Sequence, residues 1–328
     1  MKRLFTYTKR GLVTAGIVYV LLVVFGLVAG RIVQFRDSDE EIRAHYAARH
    51  LPIHISTYRT LGRDMRFVYT EHNPAKPLYL LIHGAPSSCN YYHHFMDDTA
   101  LRSMANLVAV DRAGYGYSGF GKPLPSLEMQ AATIKPVLDS LRHTGQPVVV
   151  VGASYGTSVA CRLAMDYPQL VDGLVLIAPA LAPGEEKTYA ISYALESPLF
   201  TWAQPPMIHS ANVEKLTHEA ELRKMEPRWG EIRVPVFYFQ GIDDDLIYTT
   251  NAAFARRKLV NARHLSITMI PNRGHLLVYN EAPRLKQALA DILPRAERYF
   301  AQRTGSNGLP GTLARAEAPS TIGMAKNQ

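Results

Sequence analysis

Residues 148–158 read VVVVGASYGTS, a run of valines into Ser154 with a glycine two places before it and another two places after. A serine hydroxyl is a poor nucleophile unless a base takes its proton, an acid holds the base, and donors await the negative oxygen that forms. The G-x-S-x-G spacing is short enough to arise by chance, so its surroundings matter. PVVVV reads as a buried strand, and Val159, Leu163, Ala164 and Tyr167 recur at helical spacing. That strand, turn and helix is the setting in which a nucleophile elbow lifts its serine, whereas the plainer reading makes Ser154 a small residue in a tight turn.

Any partners of Ser154 should lie just past other strands, because open α/β sheets bind ligands beyond their carboxyl ends. HISTYRT and RFVYTEH predict two strands joined at LGRD, and KPLYLLIHG a third. NLVAVD, PVVVVG, LVLIAP, PVFYFQG and SITMIP continue the series, with helical stretches between most of them. One such stretch, LEMQAATIKPVLDSLRHTG, contains Pro136, where a kink is expected. Alternating strands and helices predict an α/β fold with a mostly parallel sheet and helices on both faces. Three strand ends then carry chemistry: His83–Ser88, the loop IDDDLI, and NRGHLLVYNEAP. From about 181 to 233 no good strand occurs, which predicts a helical cap holding Trp202 and Trp229. Those tryptophans with Phe200 and Met207 fit either an apolar substrate pocket or the cap's own small core.

In their order these motifs resemble the α/β-hydrolase superfamily, in the group with an H-G-x-P oxyanion loop. His83-Gly84-Ala85-Pro86 is similar to that loop, Asp111 to Ser118 to the D-x-x-G-x-G-x-S turn, and Gly152 to Gly156 to the elbow. Gly241 to Asp244 resembles the G-x-x-D acid turn, and Gly274-His275 with Glu281 and Pro283 the histidine loop. The resemblance covers about 51–302 and implies Ser154 as nucleophile and His275 as base. Among the neighbours Asp243, Asp244 and Asp245, family spacing selects Asp244 as the acid, with Asp243 next. It also implies an oxyanion hole from the backbone N–H groups of Ala85 and Tyr155. His83 is then structural, and Asp111 a turn and loop anchor. The implied activity is hydrolysis of a carboxylic ester or related acyl compound through an acyl-enzyme. A serine at the elbow argues against relatives that use an aspartate there, such as epoxide hydrolases and haloalkane dehalogenases. Amide, lactone, thioester and carbon-carbon bond hydrolysis stay open, as does a membrane-anchored binding protein of the same fold. No cofactor and no metal are expected, and the partner is a small acyl substrate with apolar character.

The remaining sequence sets the location. Gly11–Gly30 is uncharged and matches the thickness of a bilayer core, with basic residues on both flanks. It is longer than the apolar region of about 7 to 15 residues in a cleaved signal peptide, and Val28-Ala29-Gly30 is a mediocre cleavage site. An uncleaved signal anchor is expected. Lys2, Arg3, Lys9 and Arg10 against Arg31, Arg36 and Arg43 place residues 1–10 in the cytoplasm and the catalytic domain outside it, in the periplasm if the source is bacterial. Residues 31–50 form a polar, partly helical connector, 51–302 the hydrolase domain, and 303–328 a disordered tail rich in Gly, Pro, Ser and Ala. The net charge of +8 comes from scattered basic residues, several of them outside the fold, so no nucleic-acid partner is expected. Cys89 and Cys161 are so sparse a pair that two buried thiols fit as well as a bridge.

Overall fold

Strands that are apolar at every position can be buried only if both faces of their sheet are covered. The computed structural model, which describes residues 2–32, 34–143 and 145–305, has that arrangement. Its eight strands are β1 Ile53–Thr60, β2 Arg63–Thr70, β3 Leu78–Ile82, β4 Asn106–Val110, β5 Val148–Ala153, β6 Gly173–Ile177, β7 Pro235–Gly241 and β8 His264–Ile270. They form one sheet in the order β1-β2-β4-β3-β5-β6-β7-β8. Only β1 with β2 and β2 with β4 pair antiparallel. In β5, Val148 and Val150 join one core while Val149 and Val151 join the other, so alternate side chains feed opposite layers. The β1–β2 turn at Leu61-Gly62 has positive φ at both residues, 48° and 72°, which suits the twist of a two-residue hairpin.

The helices, in chain order, begin with α1 Lys2–Ile32 and α2 Asp39–Ala47, followed by α3 His93–Met96, α4 Thr99–Met104, α5 Leu127–Leu141 and α6 Tyr155–Asp166. After β6 come α7 Ala190–Leu195 and α8 Pro206–Met225, then α9 Thr250–Lys258, α10 Leu277–Asn280 and α11 Ala282–Thr304. Pro136 lies inside α5, and the helix continues through it. Within α1, Arg10–Ile32 is long and apolar enough to cross a membrane. The connector is tied down rather than loose. Ser38 and Glu41 form a capping box at the start of α2, and Ile42 and Tyr46 are buried. His45 Nε2 lies 3.0 Å from both oxygens of Asp97, and His93 Nε2 2.8 Å from Asp37. Gly305, in the left-handed conformation, caps α11, and the tail expected from 303 lies outside the described residues from 306 onward.

The insertion between β6 and β7 carries α7, a 3-10 turn at Thr201–Ala203, α8 and a 3-10 turn at Glu226–Glu231. Its two tryptophans part company. Trp229 is fully buried in the main core, with its ring edge-on to Phe254 at 5.5 Å, whereas Trp202 is exposed. Cys89 and Cys161 are both free, buried thiols.

Candidate active site

Parallel strands aim their carboxyl ends at one edge of the sheet, and the predicted residues gather there. Ser154 sits between β5 and α6 at φ 52° and ψ −126°, a conformation that non-glycine residues rarely adopt. The turn is possible because Gly156 approaches the end of β3 so closely that a Cβ would collide with the carbonyl oxygens of Ile82 and His83. Ser154 Oγ lies 3.0 Å from His275 Nε2, and His275 Nδ1 lies 2.8 Å from Asp244 Oδ2. The carboxylate only accepts, so Nδ1 carries the imidazole proton and Nε2 is left to accept from the serine hydroxyl.

Burial separates the three consecutive acids. Asp243 and Asp245 are exposed, while Asp244 is buried, its Oδ1 accepting from the backbone N–H of Leu246 at 3.0 Å and of Ile247 at 2.9 Å. Those two bonds orient the other oxygen toward His275.

The loop after β3 closes over the serine. A Cβ on Gly84 would stand 2.9 Å from the Ser154 Cβ, so the loop backbone rests against the elbow. Ala85 and Tyr155 line the same cavity as Ser154 and His275, and neither of their backbone N–H groups meets an acceptor among the described residues. His83 is buried and structural: its Nε2 accepts from the Arg112 N–H at 3.0 Å, and burial holds its pKa well below the usual imidazole value. Asp111 anchors loops, accepting from the N–H groups of Cys89 and Tyr117 and from Arg66.

The cavity has a volume of about 520 Å³. The cap supplies much of its wall, through Tyr189, Ile191, Leu195, Ile208 and Ala211. Trp202, Trp229, Phe200 and Met207 are not in that wall, so the apolar lining comes from other cap residues.

Two polar clusters escaped the sequence reading. Arg112 is fully buried and bidentate to Glu214 of α8 at 2.7 and 3.0 Å, and its Nε donates to the His83 carbonyl at 2.8 Å. It therefore ties the loop after β3 to the cap. In the second, His218 Nδ1 lies 3.0 Å from Glu186 and Nε2 2.9 Å from Ser158 Oγ. Ser158 is fully buried and its hydroxyl donates to the Ala180 carbonyl, which leaves it no proton for a base and no route to substrate. His218 instead packs on the Tyr155 ring at 4.6 Å, next to the elbow. Burial opposes the charge on Glu186, but His218 and Lys215 outweigh it and hold its pKa down at about 2. Both clusters join residues far apart in sequence, and only the position of Arg112 inside the D-x-x-G turn gave any signal. Away from the cavity, His45, His93 and Asp97 bring ligand atoms within 4.8 Å of one another, a spacing that could hold a metal ion.

A sequence description of the Alpha/beta hydrolase family matches residues 79–286, which takes in the elbow, the acid loop and the histidine loop. The chain belongs to the alpha/beta hydrolase family. It is 32% identical to mouse epoxide hydrolase 4 over 122 residues, 36% of this chain and 33% of that protein. It is 27% identical to the lipase LipV of Mycobacterium tuberculosis over 190 residues, 57% of this chain and 64% of the lipase. The chain thus spans about a third of the first hydrolase and just under two thirds of the second. Among solved structures, a membrane phospholipase A described as a bacterial virulence factor superposes with a TM-score of 0.59 at 17% identity. That superposition covers 90% of this chain and 99% of the phospholipase, a likeness of fold.

Proposed function

We propose that this alpha/beta hydrolase is a serine esterase that cleaves a carboxylic ester or related acyl substrate through an acyl-enzyme. The observation that carries the reading is the continuous chain from Ser154 Oγ through His275 to Asp244, at 3.0 and 2.8 Å. His275 Nε2 takes the hydroxyl proton as Ser154 Oγ attacks the acyl carbonyl, and Asp244 stabilises the imidazolium and keeps its orientation. The N–H groups of Ala85 and Tyr155 receive the oxyanion, with the N-terminus of α6 adding positive potential. Collapse breaks the bond to the leaving group, which takes the proton from His275. Water then gives His275 a proton as it attacks the acyl-enzyme, and the proton returns to Ser154 as the acid departs.

The likeness to a lipase supports ester chemistry, and a serine at the elbow, where epoxide-opening relatives use an aspartate, argues against the epoxide hydrolase route. The apolar cap wall favours an acyl chain or apolar alcohol in the cavity. A series of p-nitrophenyl esters of increasing acyl length tests this. Wild type should turn over at least one member with an initial burst, and Ser154→Ala should not. Absence of hydrolysis across the series would overturn the reading.

The same proposal places α1 across a membrane as an uncleaved anchor, with the hydrolase domain outside the cytoplasm. The length and composition of Arg10–Ile32 support the span, and Lys2, Arg3 and Lys9 before it, with Arg10 at its start, support the orientation. Protease added to spheroplasts should digest the domain. Protection until the membrane is lysed would reverse the orientation, and a soluble product shortened by about 30 residues would make the segment a signal peptide.

A further inference from the structure

One face of α1 is not free. Tyr19, Val23, Gly26, Ala29 and Gly30 follow helical spacing and are the parts of the span that are shielded, while Leu12, Leu21 and Phe25 on other faces are open. What covers that face is the cap. The Tyr19 hydroxyl donates to the Leu199 carbonyl at 3.0 Å, and its ring meets Phe200 at 5.7 Å. A Cβ on Gly26 would collide with the Ala203 carbonyl oxygen, and one on Gly30 would lie 3.1 Å from the Pro205 Cα. Two glycines four residues apart thus let the cap backbone approach the helix closely, as small residues do between helices in membranes.

This contact fixes a depth. At about 1.5 Å per residue, Tyr19 lies about 16 Å along the helix from Gly30, which is half of an apolar core about 30 Å thick. If α1 spans, Leu199 enters the hydrocarbon with it. The composition of the cap agrees. Thr188–Val213 contains no lysine or arginine and a single carboxylate, Glu196, which accepts from Asn212 Nδ2 at 2.9 Å. Within this stretch Tyr193 is 66% exposed, Leu199 59% and Trp202 59%, a density of open apolar side chains that a watery surface disfavours. Tyr189 and Ile191 of the same stretch are also exposed, and both line the cavity that holds Ser154.

We propose that residues 189–203 of the cap form a wedge inserted in the bilayer beside α1, so that the cavity takes its acyl substrate laterally from the membrane. The substrate class is a bilayer lipid ester. This deepens the esterase reading and rests on it for the chemistry, while the insertion stands on the α1 contact and the exposed residues. Tyr19 then has its hydroxyl satisfied inside the hydrocarbon, where an unpaired one would be costly. Lipid chains replace water around Tyr193, Leu199 and Trp202, and Ile191 links that lipid to the cavity wall.

The chain carries its own probe, because its two tryptophans differ: Trp229 is 1% exposed inside the core and Trp202 is open. The full chain is reconstituted in phosphatidylcholine vesicles containing acyl-brominated lipid, with Trp202→Phe identifying the signal that belongs to Trp202. Brominated lipid should quench the Trp202 signal by roughly half or more, and iodide in the buffer should leave it unchanged, as for apolar side chains held below the headgroups. Quenching by iodide with no effect of brominated lipid would overturn the insertion. The triple variant Tyr193→Ser, Leu199→Ser, Trp202→Ser should lose about tenfold or more in hydrolysis of a long-chain ester held in vesicles, yet keep its rate on a water-soluble short ester. An unchanged rate on the vesicle ester, or equal losses on both, would overturn lateral access. Ser154→Ala should lose hydrolysis and keep the quenching by lipid. Quenching in a wild type that hydrolyses neither ester would overturn the esterase reading and the lipid-ester substrate while leaving the insertion in place.

Discussion

Arg112 and Glu214, 102 positions apart, form a fully buried bidentate pair that joins the turn after β4 to the cap. Tyr115 and Gln130 also hydrogen-bond to the Glu214 carboxylate, at 2.7 Å each. Removing Glu214 would strand the Arg112 guanidinium in the interior. Glu214→Ala is expected to cost about 3–5 kcal/mol of stability, read as a lowered urea midpoint. A change below about 1 kcal/mol would mean that water reaches Arg112 and that the pair is not buried in solution.

The acid loop gives a prediction of register. Asp244→Asn should reduce ester turnover by roughly 10⁴-fold, because the amide leaves His275 in the wrong tautomer, while Asp243→Asn and Asp245→Asn stay near wild type. Steady-state rates on one p-nitrophenyl ester decide the matter. An inactive Asp243→Asn beside an active Asp244→Asn would shift the assignment by one residue.

Backbone contact rather than chemistry governs the elbow glycine. Gly156→Ala places a methyl group against the Ile82 and His83 carbonyls, neither of which can turn aside, since Ile82 is in a central strand. The expected result is a loss of at least about 2 kcal/mol or failure to accumulate folded protein. Wild-type stability of this variant in a thermal melt would show that α6 can move away from β3.

Glu186 sets a pH dependence. With its pKa held at about 2 in the folded protein, against 4.5 ordinarily, the unfolded chain binds more protons through that interval. Its contribution is therefore complete above about pH 4.5 and is lost as the pH falls toward 2. The urea midpoint of Glu186→Gln should lie below that of wild type at pH 7, and the gap should close on acidification below 4.5. A gap independent of pH would show that the cluster around His218 does not act through charge.

The strands were legible because apolar runs bounded by Gly, Pro and Asp mark a sheet buried on both faces, and all eight expected segments are paired. The elbow was legible from the valines before Ser154 and the helical spacing after it. Asp244 could be chosen only by resemblance, since its burial depends on how the loop turns to give it the Leu246 and Ile247 N–H groups. Trp229 looked like a cap residue from its place in the chain. The 3-10 turn that carries it folds back onto the sheet, so it packs with Phe254 in the main core instead. Glu214, which pairs with Arg112, and His218, which meets Ser158 and Tyr155 of α6, both come from the insertion, and sequence patterns read over a few turns do not reach that far.

The most direct measurement of the central claim is labelling by a fluorophosphonate, followed by mass analysis of the intact protein and its peptides. The wild type should gain one phosphonyl group, on Ser154. His275→Ala should label on the order of 10³-fold more slowly, and Ser154→Ala not at all. Equal labelling of wild type and Ser154→Ala, or an adduct elsewhere, would contradict the account.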